Sequence, residues 1–208
     1  MQLETAEQPS TRAEVARWVS IIVHPIAFPL LALGIALYLA TNSLTSTLGW
    51  LVLAMALTSL PVTFVVVLQV IRRKWTDLDV SVRKQRYALY PFGIACMLLL
   101  TLSYAHFDAP TVAVRSGYAL VIANIVDGLV NFLYKVSAHA TGAAASAALI
   151  WIAAPFFGLS VLATIAALLV GWSRVELKRH TWGQVLLGWS VGVAAMVVAF
   201  NLPFPTRL

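Results

Sequence analysis

Residues 48–71 read LGWLVLAMALTSLPVTFVVVLQVI, a run without a single charged side chain. A helix needs roughly 20 apolar residues to cross the hydrocarbon core of a bilayer, so this run predicts a membrane-spanning helix. The same pattern recurs along the chain. We expect about six to seven spans, formed by apolar segments at residues 18–40, 48–71, 89–107, 112–134, 140–154, 156–172 and 181–202.

The amino-acid composition excludes a soluble protein. Of the 208 residues, 61% are hydrophobic and 11% are charged, whereas soluble domains are about 45–50% apolar and about 25% charged. The lone cysteine, Cys96, also excludes a disulfide scaffold. The predicted fold is all-α, a polytopic transmembrane helical bundle. It comprises a flexible N-terminal tail over residues 1–16 and a single transmembrane domain over residues 17–208.

The basic residues indicate an orientation in the membrane. The net charge is +6, and twelve of the fourteen Lys and Arg residues lie on one predicted face of the bundle. Cytoplasmic loops of membrane proteins collect Lys and Arg. We therefore expect an integral protein of the inner or cell membrane with its charged loops and active site in the cytoplasm. The charges lie in short clusters between apolar runs, so we expect the bilayer, and not a nucleic acid, as the partner.

Three polar clusters are spaced so that they can meet. They lie at residues 77–86, 135–139 and 173–184, and two predicted helices separate each cluster from the next. An even number of crossings returns the chain to the same face of the membrane each time. The clusters are therefore expected to form one pocket at one membrane interface.

The last two clusters carry recognisable spacings. Ser173-Arg174 is followed by five residues, His180, three residues and Gln184, and the middle cluster reads Val136-Ser137-Ala138-His139. In this spacing the chain resembles the type 2 phosphatidic acid phosphatase superfamily, whose signatures are S-R-x5-H-x3-D and P-S-G-H. Members of that superfamily share a helical core with vanadium-dependent haloperoxidases. The resemblance covers roughly residues 72–200 and implies a phosphatase-like transmembrane domain.

The first signature of that superfamily, K-x6-R-P, is met only loosely. Six residues separate Arg83 from Tyr90-Pro91, and Lys84 and Arg86 are alternatives for the cation. A phosphate ester needs cations around its nonbridging oxygens, because charge stabilisation and positioning dominate phosphoryl transfer. The expected phosphate-binding residues are therefore Arg83, Lys84, Arg86, Lys135, Ser137 and Arg174.

The resemblance also assigns catalytic roles. It implies that His180 is the nucleophile, forming a phosphohistidine intermediate, and that His139 is the general acid. Gln184 stands where the superfamily has Asp. A glutamine carbonyl can accept the N–H of His180 but cannot stabilise imidazolium charge as a carboxylate does. The chain is thus predicted to be a metal-independent phosphoric monoester or diphosphate hydrolase that uses no cofactor.

Several alternatives stay open at the sequence level. The substrate is a membrane lipid or prenyl phosphate, either an isoprenoid diphosphate or a phosphatidate-like lipid, since both tails need only apolar walls. A lipid phosphotransferase would use the same histidines, and a non-catalytic lipid-phosphate carrier would explain Gln184 as lost catalysis. Asp77 and Asp79 either hold Mg²⁺ through a diphosphate or position the neighbouring arginines. The oligomeric state is left open.

The fourth apolar segment carries polar residues on one face. Asn124, Asp127, Asn131 and Lys135 are spaced by three, four and four residues, which places them on the same side of a helix. A carboxylate inside a membrane is expensive and often marks a functional site. The alternative is a hydrogen-bonded seam between helices.

Overall fold

The structure, a computed structural model, describes residues 10–207 and contains helices but no strand in that range. The all-helical membrane bundle predicted from the sequence is confirmed. The eight helices are α1 Thr11–Ile22, α2 Ala27–Thr41, α3 Leu44–Ile71, α4 Arg86–His106, α5 Thr111–Leu133, α6 Ala138–Ala153, α7 Phe157–Glu176 and α8 Trp182–Asn201, with a π turn at Met55–Ser59 inside α3.

Residues 10–207 contain five to six candidate membrane spans, so the lower end of the predicted six to seven is met. Five helices of residues 10–207 are long and apolar enough to cross a bilayer, namely α3, α4, α5, α7 and α8. Helices α1 and α2 make a sixth span only when counted together, because the chain bends by 43° at the break between them, where Pro25 removes a backbone donor. Helix α6 has 16 residues, and at about 1.5 Å per residue it falls short of the roughly 30 Å hydrocarbon core.

The predicted N-terminal tail differs from the structure. Residues 1–9 lie outside the described residues, but Thr11 already begins α1. The Ser10 side chain caps this helix by accepting a hydrogen bond from the Ala13 amide at 3.3 Å. Ala16 is fully buried, and α1 packs against α7. The residues from 11 to 16 are therefore part of the folded helical structure.

Helix α6 lies at the centre of the bundle, packed against α2, α7 and α8. Small residues make this possible, because helices in a membrane associate mainly by close van der Waals contact of their backbones. A Cβ built on Gly188 of α8 would lie 2.7 Å from the Ser137 carbonyl oxygen, and one on Gly192 would lie 2.9 Å from the Ala145 nitrogen. On α6, the facing positions include buried alanines at 140, 143, 144, 145 and 147.

The same contact joins the starts of α6 and α8. The Ser137 amide, at the N-cap of α6, donates a hydrogen bond to the Gln184 carbonyl in the first turn of α8 at 3.2 Å. The close packing of these two helices therefore fixes the distance between the segments that precede them.

This packing predicts a stability cost for a single methyl group. Gly192→Ala should lower the free energy of unfolding by about 1–3 kcal/mol, the usual cost of overpacking a tight contact, because backbone atoms of α6 occupy the space. Thermal unfolding in detergent measures this. Gly49→Ala is the matched control, since a Cβ there meets nothing within 4 Å and alanine favours a helix. Equal midpoints for the two variants would contradict the tight α6–α8 contact.

Candidate active site

The three polar clusters meet at one end of the bundle. Arg174 of the third cluster forms an ion pair with Asp79 of the first at 2.8 Å. Lys135 of the second cluster donates to the carbonyl of Arg179 at 2.9 Å. Arg86 of the first donates to the carbonyl of Val136 at 2.9 Å. Helices α4 and α5 separate the first cluster from the second, and α6 and α7 separate the second from the third.

His180 is held between the end of one helix and the start of the next. Helix α7 closes in a turn where Lys178 adopts a left-handed φ of 54°, and the His180 amide donates to the Arg174 carbonyl at 3.1 Å. Thr181 then caps α8 by accepting from the Gln184 amide. His180, 7% exposed, therefore has its backbone fixed on both sides.

Gln184 determines which ring nitrogen of His180 carries the proton. Its side-chain oxygen Oε1 accepts the Thr181 amide N–H at 3.3 Å and lies 3.0 Å from Nδ1 of His180. The amide donor fixes the orientation of the glutamine, because only an oxygen can accept from it. Nδ1 of His180 must then carry the hydrogen, which leaves the lone pair of Nε2 free.

The charge state of His180 follows from its surroundings. Burial, followed by the positive charges of Lys135 and Arg86, lowers its pKa to about 3, and the hydrogen bond with Gln184 opposes this only in part. His180 is therefore neutral at physiological pH. A neutral imidazole with a free Nε2 can act as a nucleophile.

Arg174 is buried and shares its guanidinium between two partners. It is 3% exposed, with Nη2 donating to Asp79 at 2.8 Å and Nη1 donating to Ser20 of α1 at 3.1 Å. Its Nε has no hydrogen-bond partner within the described residues. Asp79 also lies 3.8 Å from Nε2 of His139 and 4.0 Å from Nε of Arg179. We call Arg174, Arg179 and His139 the cation cluster; the two arginines carry its permanent charge, because burial and Arg174 lower the pKa of His139 and Asp79 opposes this only in part.

The electrostatics of Asp79 reflect this position. Burial alone would raise its pKa, but the hydrogen bond and charge of Arg174, with the charges of His139 and Arg179, outweigh burial and hold the pKa below its ordinary value. Asp79 is therefore an ionised carboxylate. The sequence analysis gave no role to Arg179 or Ser20, and it considered Asp79 only as a Mg²⁺ ligand or as a residue that positions neighbouring arginines. The signal for Asp79 was a carboxylate within a strongly basic loop.

Two of the predicted phosphate-binding residues, Arg86 and Ser137, form hydrogen bonds with backbone groups instead. Arg86 is 6% exposed and donates from Nε to the Val80 carbonyl at 2.8 Å as well as to Val136. It thereby ties the first cluster to the second. Ser137, fully buried, accepts the Ala140 amide as the N-cap of α6.

Arg83 and Lys84 are not joined to the cation cluster by any contact. Arg83 donates to the carbonyl of Phe132 at 3.1 Å. Lys84 is exposed and forms no side-chain hydrogen bond or ion pair within residues 10–207. Of the predicted cations, Arg174 and Lys135 are thus the ones whose contacts connect directly with residues of the His180 segment.

A cavity of about 540 Å³ opens beside His180. Its polar lining includes His180 and Gln184 together with Lys135, Lys178 and Arg179. Burial, followed by the charges of Arg86 and Arg174, lowers the pKa of Lys135. Crowded cations of this kind favour an anionic ligand. No three His, Cys, Asp or Glu side chains in the described part of the chain lie close enough together to hold a metal ion.

The four polar residues predicted on one face of the fourth apolar segment have different surroundings in the structure. Lys135 lines the cavity, and Asn131 donates to the Arg83 carbonyl at 3.2 Å. Asn124 donates to its own helix at the Leu120 carbonyl. Asp127 is 3% exposed inside the bundle, and its Oδ1 has no partner among residues 10–207.

The comparison with known families gives one match. The model of the PAP2 superfamily matches residues 103–207, which include the second and third polar clusters. The first cluster lies outside the matched range. No curated protein and no solved structure matches the chain significantly.

The neutral state of His180 leads to a prediction. His180 should stay unprotonated down to about pH 4, because its pKa lies at about 3. Lys135→Met should raise that pKa, since it removes a nearby positive charge. NMR titration of histidine-labelled protein in detergent measures both, with the signal assigned by its loss in His180→Gln.

Lys178→Met is the matched control for this titration. Lys178 lines the same cavity but is absent from the charges that shift His180. A His180 signal that titrates near the ordinary value of about 6.5, or that responds equally to both lysine variants, would contradict this description of the site.

Proposed function

The chain belongs to the PAP2 superfamily, and on that basis we propose that it is an integral membrane phosphatase that releases inorganic phosphate from a lipid phosphate or diphosphate. Members of the superfamily are generally phosphatases acting on lipid phosphates. The observation that carries the proposal is a buried, neutral His180 whose Nδ1 is held by Gln184. The ion pair of Arg174 links this segment to the surroundings of His139.

The first chemical step transfers the phosphoryl group to the enzyme. Nε2 of His180 forms a bond to phosphorus, and the bond from phosphorus to the leaving oxygen breaks. Burial and Arg174 lower the pKa of His139, so His139 takes up a proton from solvent when the phosphate dianion binds beside it and gives that proton to the leaving oxygen. Arg174 and Lys135 offset the negative charge of the phosphoryl oxygens, where guanidinium is suited to a two-pronged contact. The products are a phosphohistidine at position 180 and a free alcohol or a shorter phosphate.

The second step returns the enzyme to its starting state. His139, now unprotonated, takes a proton from water as the water oxygen forms a bond to phosphorus. The phosphorus–nitrogen bond breaks, and inorganic phosphate leaves with His180 neutral again. The net reaction consumes one water and balances without an external reductant or oxidant.

Gln184 changes the energetics of this reaction compared with an aspartate. In a serine-protease triad, loss of the corresponding carboxylate costs about 10⁴ in rate, largely through the wrong tautomer. Here the tautomer is preserved, because Gln184 accepts from Thr181 and faces Nδ1 of His180. What Gln184 lacks is a negative charge to stabilise the phosphohistidine cation. We therefore propose slower but intact catalysis, in preference to a carrier that has lost it.

The substrate class and the orientation are finer proposals. The cations Lys135, Lys178 and Arg179 around the cavity support an isoprenoid diphosphate or a phosphatidate-like lipid equally. The excess of Lys and Arg on the site face supports a cytoplasmic active site. An impermeant thiol reagent that labelled a cysteine placed in residues 72–82 from outside intact cells would refute that orientation.

The function is tested by phosphate release from the full chain in detergent. Wild-type protein should release phosphate from phosphatidate or an isoprenoid diphosphate in excess chelator, because side-chain cations supply the charge. His180→Ala should reduce the rate by about a thousandfold or more, since it removes the covalent route. His106→Ala is the matched control, as His106 is exposed and packs on Phe107.

Other outcomes point to the alternatives. Tight binding of a lipid phosphate without turnover would favour the carrier. Transfer of phosphate to an added alcohol in place of water would identify a phosphotransferase. Strict dependence on Mg²⁺ would make Asp77 and Asp79 metal ligands and contradict the metal-independent mechanism.

A further inference from the structure

Asp79 occupies the contacts that a phosphate group would need. Its Oδ2 lies 2.8 Å from Nη2 of Arg174 and 4.0 Å from Nε of Arg179, and its Oδ1 lies 3.8 Å from Nε2 of His139. Two carboxylate oxygens thus contact all three members of the cation cluster. A phosphate bound to the same atoms would overlap this carboxylate.

Arg174 offers a ligand no accessible donor while Asp79 remains in place, because its Nε, which has no partner within the described residues, is buried. Its Nη2 donates to Asp79 and its Nη1 donates to Ser20, and the side chain is 3% exposed. A phosphate oxygen that binds Nη2 must therefore displace the carboxylate. Asp79 is itself 33% exposed, so it has an outward path that Arg174 lacks.

The backbone beside Asp79 is strained. Val80 has a φ of 47°, a conformation that is unfavourable for a β-branched residue. Val80 is 3% exposed, and its carbonyl accepts from Arg86 at 2.8 Å. Strain of this kind persists only when surrounding contacts hold it. The inward position of Asp79 is thus maintained by the ion pair with Arg174 and by the Arg86 hydrogen bond.

We propose that Asp79 is an internal anion that closes the cation cluster, and that a ligand binds there by displacing it. The identity of that ligand as a phosphate rests on the proposed function. A phosphate dianion carries more charge than Asp79 and offers three acceptor oxygens, so it competes well. A free carboxylate carries only the same single charge. Asp79 is therefore a specificity-determining residue that rejects carboxylates, including fatty acids, in favour of phosphates.

Substitution of Asp79 tests this directly. Asp79→Asn keeps the shape and removes the competing charge. Inorganic phosphate should then bind about tenfold more tightly, as expected when a site that is open about a tenth of the time becomes always open. Acetate, which should not bind measurably to the wild type, should bind to the variant. Calorimetric titration of the full chain in detergent measures both affinities.

Asp77→Asn is the matched control. It removes the same charge from the same loop, but Asp77 contacts Thr76 and Ser81 and forms no ion pair within the described residues. Phosphate affinity should change much less than in Asp79→Asn, because Asp77 influences Lys135 electrostatically but does not occupy the cation cluster. Unchanged or weaker phosphate binding by Asp79→Asn would overturn the proposal, because Asp79 would then position Arg174 for the ligand.

Kinetics separate the two roles further. If the substrate displaces Asp79, Asp79→Asn should lower KM and retain kcat. If Asp79 instead positions His139, Asp79→Asn should lower kcat. Phosphate binding requires no turnover. A wild-type protein without phosphatase activity would therefore count against the proposed function while leaving the calorimetric result as an independent test of Asp79.

A second measurement keeps Asp79 in place, in case the variant does not fold. Leu78 is 63% exposed beside Asp79, so a spin label at Leu78→Cys in a Cys96→Ser background reports on this segment. Added phosphate should increase the mobility of the label as the carboxylate leaves the cation cluster. A spectrum that does not change at saturating phosphate would overturn displacement.

Discussion

The site depends on one contact, the backbone-to-backbone packing of α6 on α8. Gly188 and Gly192 allow it, because any larger residue would collide with atoms of α6. At the end of that contact Ser137 donates to the Gln184 carbonyl at 3.2 Å. His139 lies in the first turn of α6 and His180 shortly precedes α8, so the two histidine segments are brought together by packing of small residues. This suits a bilayer, where helix association relies on close contact more than on the hydrophobic effect.

The excess of positive charge explains the two less usual features of the site. Burial and nearby cations keep His180 neutral, which a nucleophile requires. Arg174, one of those cations, also attracts an anion even without substrate, and Asp79 supplies it at 2.8 Å. The carboxylate of Asp79 thus stabilises the buried guanidinium of Arg174, since an unpaired buried charge is strongly destabilising. A phosphate ligand could take over that role.

The sequence predicted the helical bundle, which follows from apolar length, and the meeting of the three clusters, which follows from the two helices between each cluster and the next. The resemblance to the phosphatase superfamily also implied that Gln184 could accept the N–H of His180, and its Oε1 lies 3.0 Å from Nδ1 of His180. The predicted six to seven spans agree with the five to six of the described residues only at six, because composition does not reveal that α6 is short or that α1 and α2 bend by 43°. The position of Asp79 in the cation cluster depends on the left-handed backbone at Val80, which no pattern in the neighbouring sequence indicates.

The central claim is that His180 forms a covalent bond to phosphorus. Rapid quenching of the wild-type enzyme during turnover of a ³²P-labelled lipid phosphate, followed by mass spectrometry of its peptides, tests this most directly. We predict phosphate on the peptide containing His180, stable to base and labile to acid, with more accumulating in His139→Ala if water attack is slowed. Turnover without any phosphate on His180, or with phosphate on another residue, would contradict the mechanism.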